Sequence, residues 1–71
     1  MKIMNAGDFG QTIKNRRREL GYTQDYVSYI TGLSKSFISN LENGKATCEL
    51  GKSIELANLL GIDCIMNSRG V

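Results

Sequence analysis

The side chains that could do chemistry in this chain are mostly cations. Arg16, Arg17 and Arg18 are consecutive. With Lys2, Lys14 and Lys35 they meet only Asp8, Glu19 and Asp25 within residues 1–36, a balance of +3. Residues 37–71 reverse the sign: Lys45, Lys52 and Arg69 against Glu42, Glu49, Glu55 and Asp63 give −1. A basic front half suits a polyanion such as nucleic acid, although a solvated helix face carries the same charges. Catalytic groups are scarce. There is no histidine, hence no imidazole base and no imidazole metal ligand. The carboxylates show no paired-cleft pattern, so an enzyme is not expected. Cys48 and Cys64 lie sixteen positions apart without a CxxC pair, and two thiols cannot close a tetrahedral zinc site. No metal and no cofactor is expected. A disulfide between them is conceivable. The first residues, Met1-Lys2-Ile3-Met4-Asn5, lack the apolar core of a secretory signal. A reducing, cytoplasmic location is therefore expected, with both cysteines serving as small hydrophobes.

The elements that position these residues must fit into 71 residues, a single domain over 1–71. A chain this short buries only roughly 60% of the surface its unfolded form exposes. It needs a staple, a partner or a very regular helical core. Hydrophobic residues are 41% and charged residues 23%, a balance that excludes a wholly disordered chain. No apolar run approaches the ~20 residues of a membrane-spanning helix.

Glycines punctuate the sequence, and there is no proline. Gly21, Gly32, Gly44 and Gly61 each follow a segment of helical periodicity, as helix-ending glycines do. The spacing predicts four short helices. The first runs from about Ala6 to Leu20, capped by Asn5, with Phe9, Ile13, Arg17 and Leu20 on one face. Arg17 thus occupies an apolar position and needs a carboxylate partner. The second starts at the cap Thr23 and reaches Thr31, with Val27 and Ile30 or Thr31 inward. The third runs from Ser34 to Glu42 with Ile38 and Leu41 inward. Gly32-Leu33-Ser34 alone separates these two, the length and composition of a helix-turn-helix over about residues 23–42. The fourth covers roughly Glu49 to Leu60, capped by Thr47, with Leu50, Ile54, Ala57 and Leu60 on one face. Gly51 weakens its first turn. Ile62-Asp63-Cys64-Ile65-Met66 has strand length, and Lys2-Ile3-Met4 is a second candidate. A strand over 62–66 needs a partner, either residues 2–4 or its copy in another subunit.

Three blocks in order then carry a resemblance. Arg16-Arg17-Arg18-Glu19-Leu20-Gly21-Tyr22-Thr23-Gln24, Gly32-Leu33-Ser34 and Ile38-Ser39-Asn40-Leu41-Glu42-Asn43-Gly44-Lys45 resemble the XRE family of helix-turn-helix regulators, to which lambda-type repressors and Cro belong. The resemblance covers residues 9–61. It implies an all-α, lambda repressor-like domain of four to five short helices whose third helix enters the DNA major groove. On that reading Lys35, Ser36, Ser39 and Asn40 meet base edges. Lys35 can donate to guanine and Asn40 can pair with adenine. Thr23, Gln24, Asn43 and Lys45 would hold phosphates, contacts that position without reading sequence. The bland alternatives are a solvated helix surface and a plain helix end. The resemblance also pairs Arg17 with Glu42, a structural bridge from the first helix to the end of the third. Ser28 stands where the family usually has alanine. Phe37 is large for a reading helix; contact with a thymine methyl group, packing on the neighbouring backbone and a place partly in the core stay open, the last being favoured. Tyr26 and Tyr29 remain ambiguous, a partner interface being one use.

Leu59-Leu60-Gly61-Ile62-Asp63-Cys64-Ile65-Met66, with Asp8-Phe9-Gly10 and the arginines, resembles the small antitoxins of the HipB type. The resemblance implies a C-terminal strand (about 62–67) pairing in a homodimer, burying Ile62, Cys64 and Met66. Two reading helices ~34 Å apart would then read a palindromic operator in double-stranded DNA. It further implies repression of the chain's own operon and neutralisation of a HipA-type kinase toxin. Two other readings stay open: a stand-alone phage- or plasmid-type repressor, and an interaction module whose DNA binding is secondary.

Overall fold

Each helix begins where a side-chain oxygen can accept the N–H groups that a first turn leaves without helical partners. Asn5, Thr23 and Ser34 fill that role for α1 (Ala6–Glu19), α2 (Gln24–Thr31) and α3 (Lys35–Glu42), accepting from the N–H groups of Asp8, Tyr26 and Phe37. At α4 (Leu50–Leu59) the cap is Glu49 and not the expected Thr47. Its two carboxylate oxygens accept from Gly51 and Lys52, both at 2.9 Å. Gly51, expected only as a weak point, has a use there. A Cβ at Gly51 would sit 2.9 Å from Glu49 Oε1 and crowd the cap. The computed structural model describes residues 2–70, and the chain is all-α with these four helices.

The chain reverses after each helix on the glycines that the sequence marks. Gly21, Gly32, Gly44 and Gly61 all take positive φ. Between α1 and α3 glycine has a different task. Gly10 is buried on α1, and a Cβ there would collide with the main-chain carbonyl of Leu41. The two helices touch backbone to side-chain-free backbone, which brings α3 close under α1.

The core sits where the four helices meet. Ile13, Val27, Ile38, Leu41, Leu56, Ala57 and Leu60 are buried, with Phe9, Leu20, Tyr22, Leu33, Phe37, Cys48 and Ile62 packed around them. The expected inward faces of α1 and α3 match this. The fourth helix differs. Leu50 is 68% exposed, whereas Leu56 is fully buried. Ser53 and Ala57 share its inward face, and the Ser53 hydroxyl donates to the Glu49 carbonyl at 2.7 Å. In α2, Ile30 stays on the surface and Thr31 is half-buried.

The two strand candidates form no strand within the chain. Met4 instead donates its N–H to Asp8 Oδ2 at 2.9 Å, at the head of α1. Ile62 gives its N–H to the Ala57 carbonyl at 2.9 Å, completing the end of α4, and packs on the core. Cys64 and Met66, expected in a dimer interface, are exposed on the single chain. Cys64 is therefore no small core hydrophobe here, and the two thiols are free. No helix among the described residues is long and apolar enough to cross a membrane.

Candidate nucleic-acid interface

The connection between α2 and α3 is fixed by three hydroxyls and one glycine. Gly32 closes α2 in the left-handed region at φ +75°, where side chains with a Cβ are disfavoured. Its N–H donates to the Ser28 carbonyl at 3.0 Å. The Ser28 hydroxyl donates to the Leu33 carbonyl at 2.6 Å. Thr31 Oγ1 donates to the Val27 carbonyl at 2.7 Å and accepts from the Leu33 N–H at 3.2 Å. Ser34 then accepts from the Phe37 N–H at 3.0 Å and starts α3. The serine that replaces the more usual alanine thus satisfies a turn carbonyl.

That turn sets the rotation of α3. With Ile38 and Leu41 buried, positions 35, 36, 39 and 40 share the outward side. Lys35, Ser36 and Asn40 are exposed and Ser39 is half-buried. Phe37 is half-buried against the core. The face offers an ammonium, a carboxamide and hydroxyls, groups able to match base-edge donors and acceptors. At the head of α3 the Lys35 ammonium lies 3.1 Å from Asp25 Oδ1 on α2.

The residues expected at phosphates flank this face in the sequence and occupy two helix ends. Thr23 is exposed, its hydroxyl oxygen engaged by the Tyr26 N–H at 3.0 Å. Asn43 and Lys45 are exposed beyond the end of α3, where Asn43 is the C-cap and the Lys45 N–H reaches the Asn40 carbonyl at 3.0 Å. Gln24 differs from a plain surface glutamine. It is half-buried, and its Nε2 donates to Glu42 Oε1 at 3.1 Å.

Glu42 is the hub of the only buried ionic network among the described residues. Its side chain is 1% exposed. Arg17 grips it with two hydrogen bonds, Nε to Oε2 at 2.7 Å and Nη2 to Oε1 at 2.9 Å. Arg17 Nη1 also donates to the Tyr22 carbonyl at 2.9 Å. Hydrogen bonding to Glu42 holds the Arg17 guanidinium above its ordinary value; burial opposes this and the attraction of the two charges adds to it. The network joins α1, the head of α2 and the end of α3.

Besides the Gln24–Glu42 bond, sequence reasoning missed two polar contacts. Arg16 donates through Nε to the Leu60 carbonyl at 2.8 Å, tying the end of α1 to the end of α4 across 44 positions. No sequence signal announces a side chain-to-carbonyl contact at that separation. In the sequence Asp25 shows only as a charge. Its place in the first turn of α2, ten residues before a lysine in the first turn of α3, was the available clue. The aromatic residues of α2 divide: Tyr22 and Tyr26 rings lie 4.8 Å apart and tilted, while Tyr29 is 85% exposed.

A family model described as a helix-turn-helix domain matches residues 10–65 of the chain. The chain belongs to this XRE-like helix-turn-helix family. A relative 32% identical over 60 residues, which span 84% of this chain and 79% of the relative, is an uncharacterised HTH-type transcriptional regulator, y4mF, of Sinorhizobium fredii (strain NBRC 101917 / NGR234). Among solved structures, the fold is similar to that of a HipB–O4 20mer complex and of a HipA–HipB–O2–O3 complex. Each is 21% identical with a TM-score of 0.86, covering 99% of both chains. The chain is a DNA-binding helix-turn-helix transcription regulator.

Proposed function

We propose that this regulator is a dimeric repressor of its own operon and the antitoxin of a HipA-type kinase toxin. The observation that carries the reading is the outward face of α3. Ile38 and Leu41 anchor the helix while Lys35, Ser36, Ser39 and Asn40 look away from the core. In this account those four residues meet base edges in the major groove. Thr23, Gln24, Asn43 and Lys45 hold the sugar–phosphate backbone on either side and set the register. For Gln24 the holding groups are its backbone N–H at the head of α2 and the amide hydrogen not aimed at Glu42. Arg17 and Glu42 serve structure, tying α1 to the end of α3.

The dimer follows from the end of the chain. Cys64, Ile65 and Met66 expose apolar side chains and sulfur to solvent beside the half-buried Ile62. Pairing of this segment with its copy would satisfy strand edges and cover those side chains. It would also stabilise a domain of this size through mass action. Fold similarity to HipB, in structures that hold operator DNA and HipA, supports the antitoxin reading.

Affinity purification of the chain from its own cells, with mass spectrometry of whatever accompanies it, tests this. A stoichiometric kinase-like partner together with bound duplex DNA is expected. Recovery of the homodimer and DNA alone would establish a stand-alone repressor instead. A protein partner with no DNA binding would establish an interaction module.

A further inference from the structure

The head of α3 carries a cation where a helix favours an anion. Lys35 is the first residue of α3, and no acidic residue lies in that first turn. The unsatisfied N–H groups there repel an ammonium. Across the turn, Asp25 in the first turn of α2 brings its carboxylate to 3.1 Å from the Lys35 ammonium. Both side chains are largely exposed, 57% for Lys35 and 76% for Asp25. An exposed pair of this kind adds little to stability. It does bias the ammonium toward α2. An anion on a face that meets phosphates also carries a cost for every duplex, because it repels them.

We propose that Asp25 is a specificity-determining residue that positions Lys35 for base reading and withholds it from phosphates. The inference rests on the DNA-binding reading of α3. An ammonium has three donors, so the contact with Asp25 leaves two for the O6 and N7 acceptors of a guanine edge. Held by Asp25, Lys35 is pointed before the duplex arrives and loses less freedom on binding. On a wrong sequence the pair is close to neutral and contributes no released counterion. Without Asp25 the same lysine is a free cation that can swing to any phosphate. Asp25 therefore raises the affinity gap between right and wrong sequences from both sides. The chain's net charge is only +2, so one more free cation changes its pull on DNA appreciably.

The test uses the full chain and two duplexes: one enriched by the wild type from a random 30-base-pair pool, and one scrambled from it. Fluorescence anisotropy gives affinities for each over a range of salt, for wild type, Asp25→Asn, Asp25→Glu and Lys35→Met. For Asp25→Asn, binding to the scrambled duplex should tighten by up to about eightfold at 0.1 M salt, with a salt slope steeper by about 0.9 per chain bound. Binding to the enriched duplex should weaken or stay level, so the ratio of the two falls. Asp25→Glu should restore the ratio, and Asp25→Asn in the Lys35→Met background should no longer weaken binding to the enriched duplex. The proposal is overturned if Asp25→Asn leaves the ratio unchanged. That includes equal tightening on both duplexes, the mark of a merely repulsive surface charge. It also includes equal weakening with a lower thermal midpoint, the mark of a helix-starting acid alone. A wild type that enriches no duplex overturns the DNA-binding reading itself, and this inference with it.

Discussion

Arg17 and Glu42 meet face to face, with the guanidinium edge donating to both carboxylate oxygens at 2.7 and 2.9 Å, although 25 positions separate them. Glu42 is nearly inaccessible and depends on Arg17 for most of its compensation, Gln24 supplying the rest. Removing one partner of a buried pair costs about 3–5 kcal/mol, because the other charge stays buried. That is a large part of the stability of a small domain. Arg17→Ala should therefore lower the thermal midpoint by more than about 10 °C, or leave the chain unfolded. Replacing both, as Arg17→Met with Glu42→Leu, should recover much of the loss. Circular dichroism melts decide the matter; an unchanged midpoint in Arg17→Ala would remove the bridge from the account. The pH sign is simple. The pair raises the folded value of Arg17, so its contribution is complete below the unfolded value and is lost only as pH rises through the folded one. Alkaline titration to about pH 10 should leave this contribution intact.

Gly10→Ala should also be destabilising, for a different reason. The added methyl group would run into the Leu41 carbonyl, in the seam where α1 and α3 approach most closely. Overpacking of this kind costs about 1–3 kcal/mol. On an open helix surface the same change would stabilise by roughly 1 kcal/mol. The sign of the midpoint shift separates the two.

Much of the fold was legible because its signals are local. A cap oxygen and a helix-ending glycine act over three or four residues, and Asn5, Thr23, Ser34 and the glycines at 21, 32, 44 and 61 all behave as their types dictate. The outward side of α3 follows directly, since Ser34 fixes its start and Ile38 and Leu41 fix its phase. The fourth helix was less legible. Leu50, Ile54, Leu56, Leu59 and Leu60 offer several apolar stripes, and only packing into the shared core selects the one through Leu56 and Ala57. Its cap was misplaced because a glutamate reaching two and three residues ahead competes with the shorter Thr47. Contacts between distant residues, Arg16 with Leu60 and Gln24 with Glu42, depend on the assembled geometry. The end of the chain is a separate case: a strand is a property of two segments, and residues 62–66 find no second one among the described residues.

Dimerisation through that segment makes a clean prediction. Met66 is 98% exposed on the single chain, so Met66→Asp should leave the fold of each protomer intact. In a paired strand the same carboxylate would be buried among apolar side chains. Sedimentation equilibrium should show weaker self-association for Met66→Asp by an order of magnitude or more. Equal association of variant and wild type would place the interface elsewhere.

Lys45 should act on all sequences alike. It lies exposed past the end of α3, and a phosphate contact there carries no base information. Lys45→Gln should weaken binding to enriched and scrambled duplexes by similar factors and reduce the salt slope by about 0.9 per chain bound. A sequence-dependent effect would mean that Lys45 reads bases.

The central claim is that α3 reads DNA through Lys35 and Asn40. Titration of the enriched duplex with wild type and with Lys35→Ala/Asn40→Ala, at one salt concentration and with melts in parallel, tests it most directly. The account predicts an unchanged fold and a loss of about 1–3 kcal/mol for each base contact removed, with scrambled duplex affected far less. Undiminished preference for the enriched duplex in the double variant would contradict it and put the reading surface on another part of the chain.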